Sequence, residues 1–177
     1  MYDYENCSES ELIRRARRGD VKAFARLYSQ IYRDLYRFAL CVMRHPQEAE
    51  DAVSEAVLSA YEHISGLKKE ASFRSWMFTI LDHQCKKNLS KHRLETTVPG
   101  ADAYLEAQTA AEPDYAGQQD VRRAFAELDE EERMIVAFSV FGGYPSEEIA
   151  RLTGRNAATV RSRKSRALAK MRARLQG

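Results

Sequence analysis

The sequence has few cysteines, prolines and tryptophans and no long apolar run. Of its 177 residues only three are cysteine, four are proline and one is tryptophan. Cys7, Cys41 and Cys85 are odd in number and lack paired spacing, which argues against a disulfide framework and a zinc module. Apolar stretches such as 134–141 are far shorter than the roughly 20 residues of a membrane-spanning helix. We therefore expect no metal, no cofactor and no membrane insertion.

The first ten residues also lack an apolar run, and they contain Asp3, Glu5 and Glu9. Such a segment does not have the pattern of a secretory signal. The whole chain is 44% hydrophobic and 31% charged, which is typical of a folded globular protein and not of a disordered one. A cytoplasmic protein with reduced thiols is the expectation.

Charge is unevenly distributed along the chain. Residues 94–118 contain five acidic residues and no basic one, whereas residues 119–177 contain 12 Lys or Arg against eight Asp or Glu. From Arg151 onward there are nine basic residues and no acidic one. A basic end of this kind indicates a polyanionic partner.

Apolar residues recur at three- and four-residue steps and predict an all-α fold. Ser8 and Glu11 form a capping-box pattern, and so do Asp129 and Glu132. The predicted helices run from Ser8 to Gly19, Asp20 to about His45, Pro46 to Gly66, Ser72 onward, about 121 to Leu128, Asp129 to about Phe141, about 145 to 153, and Asn156 to about Leu175. No strand is required.

Residues 94–118 interrupt this pattern with Pro99, Gly100, Pro113 and Gly117. A stretch of this composition predicts a flexible linker. We therefore expect two small helical domains of four helices each, over residues 1–93 and 119–177.

The last two helices predict a helix-turn-helix unit. A short helix meets Gly154, and a basic helix follows Asn156, the order in which the second helix enters a DNA major groove. On a helical wheel Val160, Ala167, Met171 and Leu175 share one side, while Thr159, Arg161, Ser162, Ser165 and Arg166 face away or flank that opposite side. Periodicity alone leaves a plain solvated basic helix open as the alternative.

Both halves together resemble the sigma-70 family of transcription initiation factors, specifically its extracytoplasmic-function class. Three strings in the first half resemble sigma region 2: LIRRARRGDVKAFARLY, QEAEDAVSEAVLSAY and SFRSWMFTI. The second half resembles region 4 over FAELDEEERMIVAFSVFGGYPSEEIARLTGRNAATVRSRKSRALAKMR. The resemblance implies a protein that catalyses nothing, binds core RNA polymerase and directs it to promoters through the minus-ten and minus-thirty-five elements.

In region 2, the resemblance implies docking on a coiled coil of the largest polymerase subunit through the third helix. Acidic residues three and four apart form one ridge on that helix, away from its alanine-rich side. A solvated acidic face is the alternative explanation of the ridge. The candidate polymerase-binding residues are Glu48, Asp51, Ser54 and Glu55.

The resemblance assigns recognition and melting of the minus-ten element to the loop at 65–71 and to the helix from Ser72 onward. Cationic side chains there suit a displaced DNA strand. Trp76 matches a family tryptophan, although its place on the wheel favours packing over base stacking. The candidate minus-ten residues are Lys68, Lys69, Ser72, Trp76, His83, Lys86, Lys87 and Asn88.

For the minus-thirty-five element the candidate residues are Asn156, Thr159, Arg161, Ser162, Arg163, Ser165 and Arg166. The family further implies contact with the polymerase flap, an acidic linker that imitates nucleic acid, and an inhibitory anti-sigma factor as a partner. The chain departs from the family at two places. Asp82 and His83 stand where Arg-Asn is frequent, and Lys164 stands where leucine is usual. We expect the stem of Lys164 to lie along the core while its ammonium group reaches the surface.

Parts of the sequence are also compatible with two other functions. A stand-alone helix-turn-helix regulator would bind duplex DNA without polymerase, and such regulators usually dimerise on palindromic half-sites. An enzyme would use His63, His83 and Cys85 as metal ligands or as a nucleophilic pair. His83 and Cys85 are two apart on a helix and point nearly opposite ways, so Cys85 and Cys41 are better explained as small packing residues.

Overall fold

The computed structural model describes residues 3–68, 73–95 and 118–176, and over these ranges it contains helices and no strand. The predicted all-α fold class is confirmed. The helices are α1 (Glu9–Ala16), α2 (Val21–Met43), α3 (Pro46–His63), α4 (Phe73–Glu95), α5 (Gln118–Ala126), α6 (Glu130–Val140), α7 (Ser146–Thr153) and α8 (Ala157–Gln176), with a short 3-10 turn at Ile64–Gly66.

The first two helices begin where their capping residues predict. The Ser8 hydroxyl accepts a hydrogen bond from the amide of Glu11, 3.3 Å away. One Asp20 carboxylate oxygen accepts from the amides of Lys22 and Ala23, each at 3.1 Å. These bonds satisfy amide donors that have no partner within the helix.

Helix starts in the second half follow the same rule. Asp129 and Glu132 form the reciprocal capping box, with bonds of 2.8 and 3.1 Å between each carboxylate and the other residue's amide. The Asn156 side chain accepts from the amide of Ala158 at 2.7 Å and so caps α8. The predicted cap at Ser72 and the predicted linker at 94–118 lie outside the described residues, except for Leu94, Glu95 and Gln118 at its two ends.

Helices α1–α4 form the first bundle. In it α2 packs against α1, α3 and α4, and α3 packs against α4. Small residues on α3 let it approach closely, since Ala49, Ala52, Ala56 and Ala60 are all buried. The larger core side chains come from the neighbouring helices and include Leu12, Leu27, Leu35, Phe73, Met77 and Leu81.

Helices α5–α8 form the second bundle, in which α8 contacts α5, α6 and α7. Val160, Ala167 and Met171 are buried on its inner side, as the wheel predicts. Leu175 was expected on that side too, but it is 47% exposed. The reason is length: α8 has 20 residues and its neighbours have 8 to 11, so its last turn extends beyond the packed region.

The two bundles contact each other, mainly through α2 and α6. The Phe38 and Phe138 rings meet edge to face with centroids 4.8 Å apart. Residues from both bundles therefore belong to one continuous apolar cluster. Sequence patterns did not predict this arrangement, which we call the closed form.

Asp20 connects α1 to α2, and its charge should make stability depend on pH. Arg15 donates to its carboxylate at 2.8 Å and Tyr4 donates at 3.1 Å, and the Arg15 bond is the main reason that the pKa of Asp20 lies below its usual value. A carboxyl whose pKa is depressed by folding stabilises the fold above its unfolded pKa of about 3.9, and this stabilisation is lost as the pH falls through the folded pKa.

We expect Asp20→Asn, which retains a good capping oxygen, to reduce the loss of stability in acid. The measurement is urea unfolding of both proteins between pH 7 and pH 3. The free energy of unfolding should fall more steeply for the unsubstituted protein. Parallel curves would show that the Asp20 charge does not contribute.

Candidate nucleic-acid and partner surfaces

A helix-turn-helix geometry is present at α7 and α8. Gly154 ends α7 with a φ of 66°, a left-handed conformation that favours glycine. Three residues later, α8 begins at Ala157 under the cap of Asn156. The Asn156 oxygen accepts the capping bond, and its amide NH₂ is not used in the cap.

The outer side of α8 is polar and accessible. Six of the seven predicted residues are exposed: Asn156 at the cap of α8, and Thr159, Arg161, Ser162, Ser165 and Arg166 on the helix. Arg161 pairs with Glu147 of α7 at 2.7 Å. Within the described part of the chain, Arg166 makes no ion pair. Arginine can bond bidentately to guanine, and Ser or Thr can bond to phosphates, so this side has the groups that major-groove contacts need.

Arg163 is placed differently from its predicted neighbours. It is about one-third exposed and lies 3.1 Å from Glu131 and 3.7 Å from Asp129, at the start of α6. Arg155 pairs with the same Glu131 at 2.8 Å. In this conformation Arg163 holds α8 against α6, so a DNA contact would require it to leave Glu131.

Lys164 lies on the inner flank of α8, as its wheel position predicts. Its ammonium group reaches the Ser139 hydroxyl at 3.3 Å, so the aliphatic stem passes along the core and the charge ends at a polar partner. Lysine can therefore occupy a leucine position without an unpaired buried charge.

The predicted acidic ridge is present on α3. Asp51, Ser54 and Glu55 are exposed, and Glu48 is about one-quarter exposed beside His92, 3.3 Å away. Gln84 of α4 donates to Glu55. The ridge is thus accessible, and two of its carboxylates are oriented by α4.

Sequence reasoning missed Leu58 beside this ridge. It is 66% exposed and follows Asp51 by seven residues and Glu55 by three, so all three lie along one side of α3. An apolar side chain among acids suits a helical partner with both basic and apolar groups. The wheel of α3 would have found it, because Leu58 lies opposite the alanine-rich side.

The predicted minus-ten residues divide between two sides of α4. His83 and Lys87 are exposed together on the outer side, and Lys68 is exposed before the helix. Lys69 and Ser72 lie outside the described residues. Trp76 is half-buried, packs against the core and has its ring 6.2 Å from that of Phe73, which agrees with a packing role.

Lys86 and Asn88 do not join His83 and Lys87. Lys86 pairs with the buried Asp82 at 2.6 Å and borders a cleft of about 340 Å³ between α4 and the second bundle. Asn88 is half-buried and bonded to Gln84 at 3.2 Å. Lys86 is only 60° from His83 around the helix, so its pairing with Asp82 sets its direction, whereas Asn88 is turned 140° away from His83.

The histidines and cysteines named above do not form a nucleophilic pair. Cys85 is fully buried, and burial raises the pKa of its thiol to about 12, whereas His83 is exposed. His63 is bonded to the carbonyl of Ser59 at 2.7 Å. Over residues 3–68, 73–95 and 118–176, no three His, Cys, Asp or Glu side chains are grouped to hold a metal ion.

The described helices also include none with the length and hydropathy needed to cross a membrane.

Two family models match the chain, one in each half. Residues 27–95 match the family model for sigma-70 region 2, and residues 118–171 match the model for sigma-70 region 4. The chain is 33% identical over 170 residues to the ECF RNA polymerase sigma factor SigM of Mycobacterium tuberculosis, covering 96% of this chain and 85% of SigM. It is 28% identical to the RNA polymerase sigma factor SigV of Bacillus subtilis, covering 80% and 84% of the two chains.

A solved structure has the same fold. It is the sigma factor RpoE of Bartonella quintana in complex with the anti-sigma factor NepR, with a TM-score of 0.74, 24% identity, and coverage of 88% of this chain and 98% of that one. With both halves matched in order, and with a relative that is one-third identical over almost the whole length, the chain belongs to the extracytoplasmic-function class of sigma-70-family RNA polymerase sigma factors.

Proposed function

We propose that this sigma factor brings core RNA polymerase to promoters with two elements, using residues 1–93 at the minus-ten element and 119–177 at the minus-thirty-five element. The observation that carries this proposal is the exposed, cationic outer side of α8 directly after a glycine-ended α7. Residues 94–118 connect the two domains and contribute only acidic charge.

In the first domain, the acidic ridge is the proposed polymerase-binding surface. A basic coiled coil of the largest subunit would bind to Glu48, Asp51, Ser54 and Glu55. Leu58 would provide the apolar contact between α3 and that coiled coil. Complementary charge speeds encounter and sets register more than it adds affinity. The apolar contact therefore supports the bound state.

The same domain would hold the melted minus-ten strand. Exposed Lys68, His83 and Lys87 are available for this in the closed form, whereas Lys86 must first leave its pair with Asp82. Lys69, Ser72, Trp76 and Asn88 remain in the proposed set, with Trp76 supporting the fold of the site. Cationic side chains along a groove follow the backbone of a single strand.

In the second domain, the proposed duplex contacts come from the start of α8. Thr159, Arg161, Ser162, Ser165 and Arg166 are directed outward, and Asn156 and Arg163 flank them. Arg161 gives up its pair with Glu147 when it binds DNA. Because exposed ion pairs contribute little free energy, this exchange costs little.

Other partners follow from the relatives. RpoE was crystallised with an anti-sigma factor, and we propose that an anti-sigma factor also regulates this chain. We further propose contact between the second domain and the polymerase flap, action in the cytoplasm, and no catalysis by the protein itself.

Transcription in vitro tests the proposal. Purified core enzyme with this protein should produce promoter-specific transcripts from a genomic template library, and core enzyme alone should not. Tight, specific duplex binding by the free protein, with no transcript in the presence of core enzyme, would instead favour the stand-alone regulator.

Reversing charge on the ridge should abolish polymerase binding. We expect Asp51→Arg with Glu55→Arg to fold normally but to lose co-purification with core enzyme, because like charges would face each other. The control is Glu5→Arg with Glu9→Arg, which makes the same change of net charge on exposed residues near the N-terminus. Retained binding by the ridge variant would refute the docking surface.

Removing either outer arginine of α8 should weaken promoter binding. Arg161→Ala or Arg166→Ala is expected to cost about 1–3 kcal/mol if the lost contact is to a base edge. Binding is measured with holoenzyme and a minus-thirty-five-dependent promoter. Arg174→Ala is the matched control, because Arg174 lies in the last turn of the same helix, away from the proposed DNA contacts, and like Arg161 it pairs with an exposed carboxylate, that of Glu127 at 3.2 Å. Unchanged binding in both test variants would show that another surface reads the DNA.

A further inference from the structure

The outer side of α2 has a line of basic residues. Lys22, Arg33 and Arg37 are exposed, and Arg26 is partly buried. Steps of four and seven residues place these four within about 60° around the helix and over about 22 Å along it. In the part of the chain that the structure describes, Lys22, Arg33 and Arg37 form no ion pair. The single acid of α2, Asp34, pairs with an arginine of α4 at 2.8 Å, so it does not neutralise this line.

Three tyrosines form a second line on α2, beside the basic one. The centroid of the Tyr32 ring lies 5.5 Å from that of Tyr28 and 6.4 Å from that of Tyr36, and the planes of the Tyr32 and Tyr36 rings differ by only 22°. Tyr28 and Tyr36 pack against the apolar core, whereas Tyr32 is 42% exposed. Core packing thus accounts for Tyr28 and Tyr36 but not for the exposed ring between them.

Basic and aromatic side chains that alternate along one surface suit a single-stranded nucleic acid. Arg33 is three residues before Tyr36 and four before Arg37, so the two lines are neighbours on the helix. Cations follow the phosphates of a single strand, and aromatic rings stack on its bases. A duplex covers the faces of its bases and offers a ring nothing to stack on. A lipid surface requires apolar side chains that insert into it, but Tyr28 and Tyr36 are held against the core.

The start of α2 lies next to the proposed minus-ten surface. The Phe24 ring, in the first turn of α2, meets those of Tyr61 and Phe73 edge to face, with centroids 5.3 and 6.3 Å away. Phe73 begins α4, and Tyr61 is in the last turn of α3, seven residues before Lys68. A strand that contacts Lys68 can therefore continue onto the outer side of α2.

We propose that Lys22, Arg33, Arg37 and Tyr32, which we call the α2 strip, bind the single-stranded DNA that continues beyond the minus-ten site. The three cations contact successive phosphates, and the Tyr32 ring stacks on a base while Tyr36 supports that ring from the side. The identity of the strand as melted promoter DNA rests on the proposed function. The affinity of the strip for a single strand does not, because it depends only on the charge and the rings of α2.

The first test concerns the charge of the strip. It measures binding of the full-length protein to a fluorescent oligothymidylate of about 20 nucleotides, by anisotropy at several salt concentrations. Arg33→Gln with Arg37→Gln should weaken binding and lower the slope of log K against log salt by about 1.4, since each single-strand phosphate contact contributes about 0.7. The matched control, Arg122→Gln with Arg123→Gln, removes the same charge from exposed residues of α5 and should keep the slope of the unsubstituted protein.

The second test concerns the ring of Tyr32. Tyr32→Leu keeps an apolar side chain but removes the ring, and it should weaken binding of the oligothymidylate about tenfold with no change in the salt slope. Tyr32→Phe keeps the ring and should bind like the unsubstituted protein. A duplex of the same length should bind equally to all three proteins, because its base faces are covered.

Promoter complexes show whether the bound strand is melted promoter DNA. With holoenzyme, Tyr32→Leu should shorten the lifetime of the open complex about tenfold after a heparin challenge, and Tyr32→Phe should leave it unchanged. An unchanged lifetime for Tyr32→Leu would overturn the assignment to promoter DNA. If the unsubstituted protein forms no promoter complex, the proposed function fails, whereas binding of the oligothymidylate still decides whether the α2 strip binds a single strand.

Three results with the free protein would overturn the α2 strip itself. One is a salt slope of the Arg33 and Arg37 double variant equal to that of its control, and another is equal oligothymidylate affinity of Tyr32→Leu and Tyr32→Phe. The third uses phosphatidylglycerol vesicles as the probe. If the variants of Arg33, Arg37 and Tyr32 lose binding to vesicles and keep binding to the oligothymidylate, the strip binds an anionic lipid surface instead.

Discussion

The edge-to-face contact between Phe38 and Phe138 determines how the rest of the molecule is arranged. Small helical bundles bury little apolar surface, and each bundle here gains by covering an aromatic ring of the other. This contact places the α6–α7 turn on α4, where Arg74 and Tyr144 bond across the boundary. The relative positions of the two proposed DNA-binding surfaces follow from it, because α7 and α8 pack with α6 in one bundle.

The basic residues of the second bundle differ in their intramolecular ion pairs. Arg163 and Arg155 share Glu131 and hold the start of α8 in place, so their charge supports the helix-turn-helix geometry. Arg161 has one exposed carboxylate partner, and Arg166 has no ion pair within the described ranges. The helix therefore combines arginines that position it with exposed arginines that we propose to contact DNA. The net charge of the whole chain, +2, does not show this difference between paired and unpaired arginines.

Local chemistry made much of the fold predictable. Ser8, Asp20, Asp129 and Asn156 were recognised as helix starts because short polar side chains satisfy amides within three residues of themselves. The outer side of α8 was predicted for a similar reason, since the 100° step fixes which residues share a side. The family resemblance supplied the roles of these surfaces, and periodicity alone did not.

The sequence by itself determined the helices, their caps and the side of each helix that faces its own bundle, because these depend on residues a few positions apart. Tertiary structure alone decided that Lys86 borders a cleft beside the second bundle, that Arg163 pairs with Glu131, and that Leu175 is exposed. It also decided the closed form itself. These features depend on contacts between residues far apart in the chain, such as Arg74 and Phe141, and a helical repeat carries no information about which distant surface will cover it.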